Sequence, residues 1–420
     1  MTPATSDVRV KPETAAATSL LSAQAVRERA HRLLAIGIDD RLAHFRVDLG
    51  RLNEAADLVA ATTRNAYPAL DVPLHARWRH FLVRGRDRWA EIDAATPWRD
   101  AAERARAAFD LAIVSVLLDA GAGPSWSYHD GTTGVRVGRS EGLALASLAM
   151  FAGGGLSRSP GAPLRADAAA LQALEGEGLG WHFQANDTNP LAGLDGRAGL
   201  LRRLGATVSS RPDVFARADT PRAGGLFDHL AALAHGRSIA AATILEEVLR
   251  HLGAVWPSRL ELGGVPLGDC WCHPDLTAPD ATTGLVPLHK LSQWLAYSLV
   301  EPLQAAGIEV TALDGLTGLA EYRNGGLFID TGVLELRDPA QAAAAHEVGS
   351  TLVVEWRALT VALLDRLAGS VRAQLGRDAA SFPLAKVLQG GSWAAGREIA
   401  RARRRDGSPP LRVASDGTVF

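Results

Sequence analysis

The chain has 420 residues, of which 44 are basic and 46 acidic, and 47% are hydrophobic; its net charge is −2. That balance suits a globular protein with a sizeable core and excludes a bulk electrostatic attraction to nucleic acid or to anionic lipid. Met1–Ala17 lacks a basic stretch followed by an apolar one, and no apolar run reaches the ~20 residues of a span, so a cytoplasmic protein without leader or membrane segment is expected. The two cysteines, Cys270 and Cys272, fit a reducing compartment rather than a disulfide framework.

Residues 1–14, with Pro3 and Pro12, are expected to fray. Residues 15–420 read as one large helical unit, with sub-domains 15–180 and 181–420 as the alternative division. Helical periodicity opens at 15–36, where Leu20, Leu21, Val26, Ala30, Leu33 and Leu34 recur at helical spacing. It returns at about 51–66, 98–118, 139–153, 165–174, 193–205, 223–235, 238–253, 285–305, 340–375 and 382–404. Strand-like runs are few: 41–48, 133–138, 306–313 and 326–337. The last, GGLFIDTGVLEL, alternates apolar residues after a glycine pair. Loops rich in Gly, Pro and Asp fall at 119–134, 154–164, 184–195, 257–284 and 314–326. The expected class is mainly α, with too few strands for a doubly wound sheet.

Chemistry-bearing residues gather in the later loops and the helices beside them. The chain has only three lysines among its 44 basic residues, Lys11, Lys290 and Lys386, so a lysine inside a structured segment invites a specific reason. Lys290 lies in PLHKLSQWLAYSLVEP, where Leu288, Leu291, Leu295 and Leu299 form an apolar stripe. Lys290, Gln293, Tyr297 and Glu301 share the other side, which reads either as a solvated face or as a contact for an anion or leaving group. A glycine-rich turn then delivers Glu321, Tyr322 and Arg323 ahead of the strand-like run. Glu321 and Arg323 are either a structural ion pair, or Glu321 is a carboxylate of the kind glycoside chemistry uses. Asp330, further on, is placed to bond a ribose or to cap a turn.

Glu355 and Arg357 lie in GSTLVVEWRALTVALLDRL, which is apolar nearly all round and therefore expected to be buried. They are expected either to pair internally or to line a pocket. GDCWCHP offers Asp269, Cys270, Cys272 and His273, all zinc-ligand types. No second cluster follows, so no metal is expected and Asp269 or His273 is read as a residue at a pocket mouth. In WHFQANDTNP, His182, Asn186 and Asp187 suit recognition of a small polar molecule, or else a capped loop. Arg139 and the tandem Arg202–Arg203 are weak candidates for meeting a phosphate at a helix end. No Gly-x-Gly-x-x-Gly follows a strand and there is no P-loop, so no cofactor is expected.

Several of these segments carry a family likeness. GRSEGLALASLAMF, WHFQANDTNPLAGLDGR, WPSRLELGGVPLGDCW, VPLHKLSQWLAYSLVEPL, GLDGLTGLAEYRNGGLFIDTGVLELRD and VVEWRALTVALLDRL together resemble the uracil-catabolism protein four family. The likeness runs from about residue 20 to the C-terminal SDGTVF and implies a place in a pathway that opens uracil through a ribosylated urea. Cys272 departs from it, standing where a basic or polar residue is expected. A fainter likeness connects His289–Gln293, Glu321–Arg323 and Glu355–Thr360, in that order, with three motifs of the queuosine-salvage N-glycosidases. It implies a helical, DNA-glycosylase-like architecture with Lys290 and Glu321 as the central pair. Glu321 stands where that family has Asp, which lengthens the carboxylate by one methylene.

The expected activity is hydrolysis of a ribosyl C–N bond, with N-ribosylurea or its 5′-phosphate giving urea and ribose or its phosphate. Lys290 and Glu321 are the expected catalytic pair. Asn186, Asp187, His182, Arg323, Tyr322, Asp330, Glu355, Arg357 and Arg139 are the expected substrate-binding set. Two alternatives stand beside it: phosphoribosyl transfer onto uracil, or a non-catalytic pathway partner. A small molecule is the expected ligand, with neither nucleic acid nor membrane as a partner; the sequence leaves the oligomeric state open.

Overall fold

The segment 351–367, apolar on almost every side, can satisfy itself only by burial on every side, and the fold is arranged around it. In the computed structural model, which describes residues 11–123, 125–218, 220–256 and 260–414, the principal helices in chain order are α1 (Ala23–Ile38), α2 (Leu52–Ala66), α3 (Ala101–Leu117), α4 (Arg139–Ala152), α5 (Leu194–Ser210), α6 (Leu226–Leu233), α7 (Ala241–Leu252), α8 (Lys290–Ala305), α9 (Tyr322–Asp330), α10 (Thr351–Leu375) and α11 (Trp393–Arg403). Short polar side chains open several of them by taking up an amide the helix leaves unpaired. Ser22 accepts from Ala25 N (3.2 Å) at α1, and Asp100 from Glu103 N (2.7 Å) at α3.

Helix α10 is buried without a break from Leu352 to Leu364 and packs against α1, α2 and α9. Helix α8 packs against α3 and α7, and α9 against α11. One continuous hydrophobic cluster runs through these layers, from Ala23 to Leu411 in sequence. The protein is mainly α. Its strands are short and occur among the described residues only as two-stranded pairs. Phe45–Val47 pairs antiparallel with Leu334–Leu336, Cys270–Cys272 antiparallel with Leu285–Pro287, and Glu309–Thr311 parallel with Ser238–Ala240. No helix among the described residues is long and apolar enough to cross a membrane.

Several boundaries differ from the sequence expectation. The run 326–337 is not one strand: its first half is the end of α9 and only Leu334–Leu336 is extended. The glycine pair that resembled a strand start lies inside the helix. A Cβ on Gly325 would sit 2.7 Å from the Trp356 ring, and one on Gly326 3.0 Å from Pro410, so these glycines let α10 and the C-terminal segment approach the helix backbone. Gly332, at φ +76°, then ends the helix by entering the left-handed region. The segment 285–305 divides into the strand Leu285–Pro287 and α8, and 340–375 into a 3-10 turn, a strand and α10. In 382–404 a five-residue π segment, Leu388–Ser392, interrupts the helix. A helix also spans Pro12–Ser19, with proline in its first turn and the Thr14 hydroxyl donating to Gly263 O at 2.9 Å. Residues 1–10 lie outside the described residues.

The α9–α11 crossing depends on Gly396, where a Cβ would fall on the Arg323 carbonyl oxygen. Gly396→Ala is expected to destabilise the fold by about 1–3 kcal/mol through overpacking. Gly369, in an exposed part of α10 where an added Cβ would meet nothing within 4 Å, is the control. Gly369→Ala should stabilise by about 0.5–1 kcal/mol. Chemical denaturation followed by tryptophan fluorescence reads both.

Candidate functional site

The site grows from the N-termini of α8 and α9. Immediately before α8, the chain turns through His289, a non-glycine residue at φ +45°, a region that costs energy and needs outside support. That support comes from the buried His289 ring, whose Nε2 bonds Leu20 O at 3.0 Å, and from its amide, which donates to Asp269 O at 3.1 Å. The next amide, Lys290 N, donates to Asp269 Oδ2 at 2.9 Å. Asp269 also accepts two bonds from Arg357 (2.8 and 2.7 Å) and one from Trp271 Nε1 (2.7 Å). Burial alone would raise the Asp269 pKa, but these donors hold it far below the usual carboxylate range. Arg357 further donates through Nε to Ala320 O at 3.3 Å, fixing the residue just before Glu321.

Glu321 is the N-cap of α9, accepting from Arg323 N (2.7 Å) and Asn324 N (2.6 Å). Burial raises its pKa, while those two amides and Lys290 oppose the shift. Lys290 is displaced the other way. Burial and then the Arg357 charge lower its pKa, and Glu321, Asp119 and Asp269 partly restore it. The expected pair therefore meets electrostatically, with each group moved toward neutrality. Tyr322 stands beside them, 36% exposed; burial and the Glu321 charge raise its phenol pKa. The loop that carries Glu321 is anchored on α8 by residues expected to lie on its polar side. Gln293 Nε2 donates to Thr317 Oγ1 (2.8 Å) and Tyr297 OH to Thr317 O (3.0 Å). Both side chains are fully buried, so the middle of this face of α8 is interior, while Glu301 at its far end is partly exposed and paired with Arg79.

A second polar group adjoins the first, and sequence reasoning did not single it out. Trp294, one turn beyond Lys290 on α8, has His75 stacked on its ring at 6.2 Å, His80 at 5.4 Å and the Arg77 guanidinium at 5.3 Å. Fully buried Arg77 donates to Ser115 Oγ (2.7 Å), Asp119 Oδ1 (2.8 Å) and Ser140 Oγ (3.2 Å), and Ser140 Oγ donates to Asp119 at 2.5 Å. Burial, and then Arg77, push the His80 pKa down to about 3. The ring is therefore neutral, and its Nδ1, facing Arg77 Nη1 at 3.1 Å, is an acceptor, which puts the proton on Nε2. Asp119 acts on both Lys290 and Tyr322, which joins the two groups. Arg77 Nη2 and Trp294 Nε1 are buried donors without a hydrogen-bond partner. The π segment serves this group too, since it carries Gln389, whose Oε1 bonds His75 Nδ1 at 3.0 Å. The available signal was HARWRH, residues 75–80, which packs two His, two Arg and a Trp into six residues.

The other expected residues divide. Arg139, in the left-handed region at φ +57°, opens α4 next to Ser140 and acts electrostatically on Tyr322. Arg323 is buried with Nη1 on Gly407 O (2.9 Å), and its guanidinium covers the Tyr322 ring at 5.0 Å. Arg357 belongs to the site through Asp269. Glu355, on the other hand, is turned toward the N-terminal part of the chain, accepting from Ala43 N (3.3 Å), His44 N (3.1 Å) and His273 Nε2 (3.1 Å). It is not the partner of Arg357, because one turn of helix does not bring residues two apart to one side. Asp330 is held by Arg404 (2.7 and 2.5 Å). Asn186 folds onto its own turn, accepting from Thr188 N (2.9 Å) and Asn189 N (3.0 Å), and Asp187 is exposed. His182 lies against Gly155. Arg202 and Arg203 donate to Leu174 O and Val255 O. Cys270 is buried, Cys272 exposed, and His273 engaged by Glu355; these residues form no metal-ligand group among the described residues.

A mainly α protein with a buried cluster of oppositely charged groups at converging helix starts is the class that fold and site define. The family follows from comparison. The family model described as "Protein of unknown function (DUF1688)" matches residues 19–420, and the chain belongs to that family. It is 40% identical over 412 residues to "Protein urg3" of Schizosaccharomyces pombe, covering 96% of this chain and 98% of that protein. It is 35% identical over 414 residues to "Uracil catabolism protein 4" of Lachancea kluyveri, covering 90% of this chain and 92% of that one.

Removing Asp269 tests the anchor of the site. Asp269→Ala leaves Arg357 buried without its carboxylate and is expected to cost about 3–5 kcal/mol in chemical denaturation. Replacing both residues with apolar ones of similar size should recover much of that loss.

Proposed function

We propose that this chain acts in uracil catabolism as an N-ribosidase, hydrolysing N-ribosylurea, or more favourably its 5′-phosphate, to urea and the corresponding ribose. The observation that carries the reading is the meeting of Glu321 and Lys290, a carboxylate with raised pKa and an ammonium with lowered pKa, in one half-buried site. The name of the Lachancea kluyveri relative supports the pathway. In the reaction the bond from the anomeric carbon to the urea nitrogen breaks, with its electron pair leaving on nitrogen. Glu321 faces the positive charge that develops at that carbon and takes a proton from the water that adds there, while the departing nitrogen gains one proton to leave as neutral urea, so the enzyme's protonation is restored over the cycle. Lys290 orients the carboxylate and binds substrate, and Arg357 holds the frame behind it through Asp269. Arg139, exposed at the start of α4, offers a cation for a phosphate. Phosphoribosyl transfer has less support, because GGLFID is helical and its acid, Asp330, is bound to Arg404.

Urea release from synthetic N-ribosylurea and its 5′-phosphate tests the reaction. Wild type should release urea from at least one, faster from the phosphate, and Glu321→Gln should lose at least about 100-fold in rate. Full activity in that variant would remove Glu321 from the role. No release from either substrate by wild type would remove the reaction itself. The profile of kcat/KM against pH provides a second check. Its acid limb should lie above the ordinary glutamate value of about 4.3, since burial raises Glu321 and ionisation is required. Its alkaline limb should lie below the ordinary lysine value of about 10.4, since Lys290 gives up its proton early. Lys290→Arg should move the alkaline limb upward.

A further inference from the structure

A second chemically distinct cluster lies on α6 and α7, among residues to which the reaction above assigns no part. His229 projects from α6, and Glu247 and His251 from α7, where their i, i+4 spacing sets both on one face. His229 Nε2 stands 2.6 Å and His251 Nε2 3.0 Å from the same oxygen, Glu247 Oε2. One nitrogen from each ring and the carboxylate oxygen all lie within 4.8 Å of one another. Glu247 and His251 are buried and His229 half-buried. The other glutamate oxygen, Oε1, is taken by Arg250 Nη1 at 2.9 Å, which fixes the carboxylate and turns Oε2 toward the two rings.

We infer that His229, Glu247 and His251 form a site for one divalent transition-metal ion, of the zinc class, with three protein ligands and one open position. Two imidazoles and a carboxylate are a ligand set typical of such ions, at metal–ligand distances of about 2.0–2.2 Å. Tetrahedral ligands at those distances lie about 3.3 Å apart, so Oε2 needs to draw back from each nitrogen by less than about 1 Å, and the two nitrogens, within 4.8 Å of each other, to adjust by no more than about 1.5 Å. The three residues come from two helices, so the ion would pin α6 to α7 at a point where the protein alone offers one shared carboxylate oxygen to two rings. Both rings have a buried Nδ1 without a hydrogen-bond partner, so either ring can switch tautomer and present a bare Nε2 without breaking a bond at Nδ1.

The test uses the untagged full-length chain, stripped with a chelator and titrated with Zn2+ by calorimetry and with Co2+ by visible absorption. One ion per chain and the absorption of four-coordinate Co2+ are expected. Glu247→Gln, which preserves shape, and His229→Ala, at the half-buried position, should each weaken binding at least about 100-fold while far-UV circular dichroism stays native. Cys272→Ser, at the exposed cysteine, should leave affinity unchanged. Absence of one-to-one binding overturns the inference, as does binding that survives both Glu247→Gln and His229→Ala.

Discussion

One buried ion pair organises the candidate site of this molecule. Asp269 and Arg357 come from a Gly-rich loop and from the central helix, and each is tied to more than the other. The Asp269 carboxylate fixes the first amide of α8 and its backbone oxygen fixes His289, while Arg357 reaches the carbonyl that precedes Glu321. A charge placed inside a protein is tolerated only when its hydrogen-bonding capacity is met, and here four side-chain and backbone donors converge on one carboxylate. The same bonds that satisfy the charge set the positions of Lys290 and Glu321. Stability and site geometry are thus a single construction.

From that anchor the electrostatics of the site follow. Lys290 is desolvated and lies near the Arg357 charge, and Glu321 sits in a desolvated cap, so each is pushed toward its neutral form. Around Trp294 the same physics operates on other groups: burial beside Arg77 keeps His80 neutral, and Asp119 carries the balancing negative charge. A site built this way holds one carboxylate and one amine of displaced pKa beside a neutral imidazole. That arrangement suits proton movement near neutral pH better than surface side chains would.

Close approach of backbones makes the arrangement possible. Glycines at 325, 326 and 396 let α9 sit between α10, α11 and the C-terminal segment, and the cap of α9 is Glu321 itself. The π segment beyond α10 makes the opposite adjustment, adding backbone where Gln389 must reach His75, in keeping with the tendency of such segments to lie at functional positions.

Much of this was legible in the residues. Apolar periodicity gave the helical class, the nearly all-round apolar character of 349–367 gave its central burial, and the rarity of lysine drew attention to Lys290. Glu321 and Arg357 were visible as charges in places where charges need reasons. Pairing was not legible, because a buried charge announces that it has a partner without naming it. Glu355 and Arg357, two residues apart, point to different sides of one helix, and the partner of Arg357 lies 88 positions away in a loop that resembled a poor zinc motif. That Asp330 meets Arg404 was likewise not legible, because nothing local to Asp330 reveals it. The strand expected at 326–337 failed because alternation over a few residues is compatible with a helix end followed by a turn. The group formed by His75, Arg77, His80, Asp119, Ser140 and Trp294 draws on distant segments, and only their packing makes it one site. Local pattern determined which segments are helical and which face is apolar. Which charges meet depended on the crossing of those helices, which is set by side-chain volume and the loops between them.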